Sequence, residues 1–240
     1  MPLGLGIVNE PLETPTDWMP LDEGLGANNK LWLQNNVNVT SAAWLDSGPN
    51  ENNAEQTSEG NRPSVSADGG LSFDQSGIAE FMDFTKTITI SNNVEFTIAA
   101  VVTLNSFNNI VLLSDSIQEF FEIMNATRVR FKANDPSQFT TILIASSPVF
   151  TTDTKIQIIF IRDSVGNFKW IVDGVTITPT GSSSNTTNNR GFDVKNLGSR
   201  NDADRYFDGI IHEMLFYDVA VGGGQLTRLS NYLNNKFSIG

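Results

Sequence analysis

An all-β sandwich of two antiparallel sheets is predicted by three features of this sequence. Strand-length apolar segments, rich in β-branched and aromatic residues and separated by turn residues, follow one another after Gly69 with no helices between them. Two tight-turn signals tie some of these segments into hairpins. The hydrophobic fraction of 39%, with 16 Phe and 4 Trp, supplies enough apolar material to fill the space between two sheets. A length of 240 residues suits a single unit of this kind, since sandwiches routinely run this long.

Residues 1–30 carry Pro2, Pro11, Pro15 and Pro20, which break any helix, and show no alternation long enough for a strand. They are expected to form an extended N-terminal arm, with the domain spanning 31–240. Leu31 to Asp68 holds one short apolar run, LWLQ, and the polar tract DSGPNENNAEQTSEGNRP, whose composition is that of a surface loop. The expected strands are Leu71–Phe73, Thr87–Ile90, Phe96–Leu104, Ile110–Leu113, Phe120–Met124, Arg128–Lys132, Thr141–Ala145, Ile156–Arg162, Phe168–Val172, Val175–Thr178 and Ile210–Tyr217.

FTIAAVVTL is apolar at consecutive positions, as a central strand covered on both faces requires. Arg128, Arg130 and Lys132 instead alternate with Val129 and Phe131, which predicts one wet, basic face. RDSVGN closes a short hairpin after Ile161. Asp173-Gly174 between WIV and VTI favours a type I′ turn, because both central residues need positive φ. Together these turns make a three-stranded meander. Leu226, Leu229 and Leu233, at helical spacing after Gly222-Gly223-Gly224 and before Phe237, predict one short C-terminal helix that packs a stripe onto the sandwich.

A formal net charge of −12 repels phosphate backbones and anionic membrane surfaces, so neither nucleic acid nor membrane is an expected partner. The absence of cysteine excludes disulfides, thiolate nucleophiles and Cys-containing zinc sites, and suits a reducing compartment. MPLGLGIVNEPLETP has neither the basic region nor the apolar run of a signal peptide, and no stretch approaches transmembrane length.

Three segments in order resemble the laminin G-like branch of the concanavalin A-like jelly rolls. The first is WLDSGPNENNAEQ from Trp44 with RPSVSADGGLSFD ending at Asp74. The second is the hairpin FKWIVDGVTI. The third is FDGIIHEMLFYDVAVGGGQLTRLSNYLNNKF, where the chain has Gly222 to Gly224 in place of the usual Leu-Ser helix cap. The resemblance implies a concanavalin A-like jelly roll and a scaffold used for many ligands. The opening MPLGLGI, the missing signal and cysteines and the Asn/Thr-rich loops resemble virion proteins of tailed phages. That second resemblance implies a non-catalytic capsid or tail decoration protein at the virion surface, assembled in the host cytoplasm. Such a protein would be anchored to capsid or other virion proteins, or to sister copies in a homo-oligomer, by an arm whose contact residues would be Met1, Leu3, Leu5, Ile7 and Trp18. The alternative is a lectin-like module that binds carbohydrate, including host surface glycans, with or without calcium.

No enzyme is expected. Glucanases of the same jelly roll place two carboxylates on one strand with a spacing near Glu-x-Asp-x-x-Glu, which is absent here. Glu119 and Glu122, three apart on a strand, should face opposite ways. His212, the single histidine, is expected to be a partly buried residue sharing a sheet face with Ile210, Met214 and Phe216, and Glu213 on the other face to be structural. No cofactor is expected unless it is calcium, for which Asp202, Asp204 and Asp208, with Asp46, Asn50 and Asn52 in the early loop, offer oxygen ligands. The same residues also serve as turn formers. For glycan contact the candidates are Trp18 and Tyr206, whereas Trp44 and Phe207 are expected to pack in the core.

Overall fold

The computed structural model describes residues 18–75, 79–107, 110–117, 119–133, 140–182, 190–200 and 205–240. In chain order, a helical turn α1 (Leu25–Asn28) leads into β1 (Asn29–Leu33), and the early polar tract contributes three short strands, β2 (Ala43–Trp44), β3 (Ala54–Glu55) and β4 (Ser64–Val65). Then follow β5 (Leu71–Phe73), β6 (Met82–Ile90), β7 (Phe96–Leu104), β8 (Ile110–Ser116), β9 (Glu119–Asn125), β10 (Arg128–Lys132) and β11 (Thr140–Ile144). The chain continues with β12 (Lys155–Arg162), β13 (Phe168–Val172), β14 (Val175–Ile177), β15 (Gly181–Ser182), β16 (Phe192–Leu197), β17 (Gly209–Tyr217) and the helix α2 (Gly223–Phe237).

Among the described residues these strands form two sheets. Sheet A runs β14-β13-β12-β7-β17-β5-β4 with β1 also on β17, and sheet B runs β15-β11-β10-β9-β8-β16-β6-β3-β2. Their printed registers are antiparallel, as a chain with no crossover helices requires. The expected meander is present as β12, β13 and β14. Its two-residue turn has Asp173 at φ 48 and Gly174 at φ 77, the type I′ geometry, with Val172 opposite Val175.

The two faces of β7 explain its unbroken apolar text. Phe96, Ile98, Ala100, Val102 and Leu104 point into the core between the sheets, with Phe121, Phe131 and Phe192 from sheet B. Ala99 and Val101 point the other way, into a second cluster where Leu226, Leu229, Leu233 and Phe237 of α2 cover Ile159 and Leu215. The result is three layers, helix on sheet A on sheet B; the far, open face of sheet B has no helix or further sheet of described residues over it, but Phe120 and Glu122 on it are buried beneath Arg130, Arg200 and Arg205. At one end of the core, the fully buried Arg162 lies over the rings of Phe96 and Phe192 and donates to the carbonyls of Val94 and Arg190. Among the described residues no helix is long and apolar enough to cross a membrane.

Several expectations change in the structure. The described part of the arm is not extended: residues 19–24 turn, α1 follows, and β1 begins at Asn29. Leu25 is buried, and the Tyr217 hydroxyl donates to the Pro20 carbonyl over 3.0 Å. Met1, Leu3, Leu5 and Ile7 lie outside the described residues. β16 was not expected. Its text FDVKNL buries Phe192 and Val194 toward sheet A, but a register shift between Val194 and Asn196 interrupts the alternation. In β17 the pairing with β7 shifts between Ile211 and Glu213, a bulge that re-aims His212. Ile211, Met214 and Phe216 therefore face the inter-sheet core, and the His212 ring, fully buried, meets Phe237 of α2 at 5.8 Å. The expected face-sharing of His212 with Met214 and Phe216 is thus corrected. α2 starts without a side-chain cap, at an extended Gly222 followed by Gly223 at φ 54, a conformation open to glycine.

Candidate functional site

The open face of sheet B carries a charged cluster built on two adjacent strands. Phe121 and Ile123 of β9 enter the core, so Glu122 turns outward, and Arg130 of β10 stands directly opposite it in register. Arg130 Nη2 lies 2.6 Å from Glu122 Oε1, and Arg205, from the segment between β16 and β17, places Nη1 2.9 Å from Oε2. Glu122 is 0% exposed, whereas the Arg130 and Arg205 side chains retain 19% and 32% exposure. A buried carboxylate thus holds two guanidinium groups that still reach solvent. The Phe120 ring lies under Arg130 and a third arginine, Arg200, at 5.0 Å and 5.5 Å from its centroid. The predicted wet basic stripe is therefore corrected: Arg128 is exposed, but Arg130 and Lys132 are half-buried, and Arg130 is locked to Glu122.

Next to this cluster, Asp115, Glu119 and Asp193 bring carboxylate oxygens within 4.8 Å of one another. Lys195 Nζ sits 2.6 Å from Asp115 Oδ1, and the Asp193 N–H donates to Glu119 Oε1 over 3.3 Å. Burial pushes the Glu119 carboxyl up to about 7; the Asp193 N–H opposes that rise, and the charges of Asp115 and Asp193 add to it. The Lys195 ammonium neutralises part of the charge of this group. Glu119 and Glu122 fall into these two separate clusters.

Among the residues proposed for calcium, those of the early loop have oxygens committed to other partners. Asp46 Oδ1 accepts from the backbone N–H of Trp32 and of Gly48, each at 2.8 Å, and Oδ2 accepts from that of Asn52 at 2.9 Å. The Asn50 amide donates to the Asn29 carbonyl, and Asn52 Oδ1 accepts from the Lys86 N–H at 2.8 Å. Their oxygens are engaged in shaping the loop, as in Asx turns. A Cβ on Gly48 would stand 2.2 Å from Asn29 Oδ1, so glycine is required there. Asp208, just before β17, accepts from the Asn105 side chain at 3.1 Å, and Asp202 and Asp204 lie outside the described residues. Asp46→Ala is expected to cost about 1–3 kcal/mol by orphaning those N–H groups. The loss in urea midpoint should be the same with and without a chelator; a chelator-dependent loss would restore the calcium reading.

Trp18 packs edge-on against Tyr232 of α2 at 6.3 Å, so its ring is a fixture of its own domain rather than an outward contact. Tyr206 is half-buried, while Trp44 and Phe207 are fully buried, as expected of core residues.

A family model described as the concanavalin A-like lectin/glucanases superfamily matches residues 76–226. The chain belongs to this superfamily. Among solved structures it is similar to the binding domain of paraclostridial mosquitocidal protein 1, at 17% identity with a TM-score of 0.63, covering 88% of this chain and 53% of that one. It is also similar to botulinum neurotoxin type C, whose passage into cells depends upon interaction with two ganglioside molecules, at 14% identity with a TM-score of 0.55, covering 87% and 52%. A third likeness, to the Trypanosoma rangeli sialidase, has 12% identity and a TM-score of 0.50, covering 88% of this chain and 33% of that one. The chain thus spans about half the length of the two toxin chains, and at these identities the likeness speaks for the fold. No curated protein matches.

Two residues that stand out chemically in this superfamily member serve its architecture. Glu213, 0% exposed, accepts from Trp32 Nε1 (2.9 Å), Tyr232 OH (2.8 Å), Lys236 Nζ (2.6 Å) and the Asn35 N–H (3.3 Å). It pins β1, the segment after it and α2 to β17. His212 Nε2 lies 2.9 Å from Thr103 Oγ1, and burial, followed by the Lys155 charge, lowers its pKa to about 4 against the opposing charge of Asp68. Glu122, Arg205 and the acidic trio escaped the sequence reading because their partners lie far apart in the chain; Arg205 and Glu122 are separated by 83 positions. The one local signal was the alternation Arg128, Arg130, Lys132.

Proposed function

We propose that this protein is a non-catalytic, lectin-like domain that binds carbohydrate through the open face of sheet B. The observation that carries this reading is the Glu122-anchored pair Arg130 and Arg205, which reaches solvent on the sheet B face that no helix of the described residues covers. Membership of a superfamily of lectins and glucanases supports a saccharide ligand. The binding domain of the mosquitocidal protein and the ganglioside interaction of the neurotoxin support it by analogy of fold. Binding without turnover is supported by the separate surroundings of Glu119 and Glu122 and by the structural use of Glu213 and His212. A glycan array of the purified chain, run with and without chelator, tests the proposal. Binding to at least one glycan class, unchanged by the chelator, is expected. An array without hits sinks the reading, and release of reducing ends from a bound glycan sinks its non-catalytic part.

Display of this domain on a virion, as a decoration protein anchored by its N-terminal segment to capsid or sister copies, is a setting that its cysteine-free composition favours. Since Trp18 packs on Tyr232, the anchoring part is the segment before it. Light-scattering masses of the full chain and of a version lacking residues 1–17 test this. An oligomer that becomes a monomer on truncation supports the anchor, and two monomers count against self-assembly.

A further inference from the structure

We propose that the ligand of the open sheet B face is an acidic sugar, its carboxylate seated on Arg130 and Arg205; the inference rests on the glycan-binding reading and names the ligand class. One carboxylate, Glu122, faces two guanidinium groups, which leaves an uncompensated positive charge in this trio although the chain as a whole carries −12. Each guanidinium has five N–H donors, and among the described residues Glu122 engages Arg130 only at Nη2 and Arg205 only at Nη1.

The donors are also held in place before any ligand arrives. Glu122 fixes both groups, and the Phe120 ring packs under Arg130 and Arg200. The planar guanidinium fork matches a carboxylate in two parallel bonds better than it matches a neutral hydroxyl. Preorganisation lowers the ordering cost that a mobile arginine would impose on binding.

The surroundings suit a sugar ring around that carboxylate. Across β10 from Glu122, Ile142 of β11 stands opposite Arg130 and is half-exposed, an apolar surface for ring C–H groups. On the other side, Asp115 and Asp193, half-buried beside Glu119, offer oxygens that accept from sugar hydroxyls. A cation pair flanked by an apolar patch and by carboxylate acceptors favours an acidic saccharide over a bare anion, which would make only the contacts to the arginines.

Calorimetric titration of the full-length protein with a sialylated trisaccharide, its neutral parent disaccharide and a sulfated disaccharide tests the inference, beside the variants Arg130→Met and Arg205→Met. The wild type is expected to bind the sialylated sugar at least about tenfold more tightly than the neutral parent. Each variant should lose at least about that factor for the acidic sugar while changing little toward any neutral glycan. Equal affinity for acidic and neutral sugars, or variants that bind the acidic sugar as the parent does, overturns the inference and leaves the glycan-binding reading standing. Preference for the sulfated sugar overturns the carboxylate assignment. An array without any hit removes both. If Arg130→Met fails to fold, Arg205→Met, at the more exposed position, and the acidic-to-neutral ratio of the wild type decide the matter.

Discussion

Replacing Glu213 with Ala is expected to lower the unfolding free energy by about 3–5 kcal/mol, read as a shift of the urea midpoint with little change in slope. The carboxylate is fully buried and accepts from Trp32, Asn35, Tyr232 and Lys236. Its removal strands an indole N–H, a hydroxyl and a backbone N–H and leaves the Lys236 ammonium, 25% exposed, without its counter-charge. Glu213→Gln keeps the volume but presents an amide donor to groups that are donors themselves, so it should lose nearly as much. Adding Lys236→Met to Glu213→Gln is expected to recover part of that loss, because the partly buried ammonium no longer needs a carboxylate. Burial, with the charge of Glu213 adding to it, holds the Tyr232 hydroxyl far above its ordinary range, so it stays a hydrogen-bond donor through the neutral region. A loss under about 1 kcal/mol for Glu213→Ala would mean that α2 and β1 are held by apolar packing alone.

The second large effect is a pair of opposing pH dependences. Folded Glu119 keeps its proton to about pH 7, whereas the unfolded carboxyl releases it near 4.5. Between these values the folded state binds more protons, and stability falls as pH rises. Folded His212 stays neutral down to about pH 4, whereas the unfolded imidazole takes its proton near 6.5. Across that window the unfolded state binds more protons, and stability rises with pH. Each effect amounts to about 2–3 kcal/mol over its window, and they nearly cancel in the parent. Glu119→Gln should therefore gain on the parent as pH rises from 4.5 to 7, and His212→Gln should gain on it as pH falls from 6.5 to 4. Urea midpoints of the three proteins at pH 4.5, 5.5, 6.5 and 7.5 check both signs, since the remaining titrating groups cancel in the differences. Variant and parent curves that run parallel would contradict the burial assigned to both side chains.

What could be read in the sequence follows from how local each signal is. The strands from β5 to β14, with β17 and α2, were legible because apolar runs, the Asp173-Gly174 turn and the Leu226, Leu229, Leu233 spacing are short-range patterns. β1 appeared only as the run LWLQ, since its cover comes from α2 and the residues around Leu25. β2, β3 and β4 are two-residue strands set in loop text, too short for any periodicity to register. The bulge at His212 defeated an argument based on alternation, because one inserted residue exchanges the two faces of every position beyond it. The candidate site was visible as a basic stripe and nothing more. Its meaning depends on Glu122, one strand away, and on Arg205, which arrives from the far side of β16. Asp46 was a reasonable metal ligand on residue type, and its bonds to the N–H groups of Trp32, Gly48 and Asn52 show the turn-forming use of the same carboxylate.

Hydrogen exchange of the protein with and without the tightest-binding glycan from the array bears most directly on the claim that the open face of sheet B is the binding surface. Protection confined to peptides of β9 and β10, with those containing Arg200 and Arg205, is the predicted result. Protection that instead falls on the Asp46 to Asn52 loop or on α2, with β9 and β10 unchanged, would contradict it.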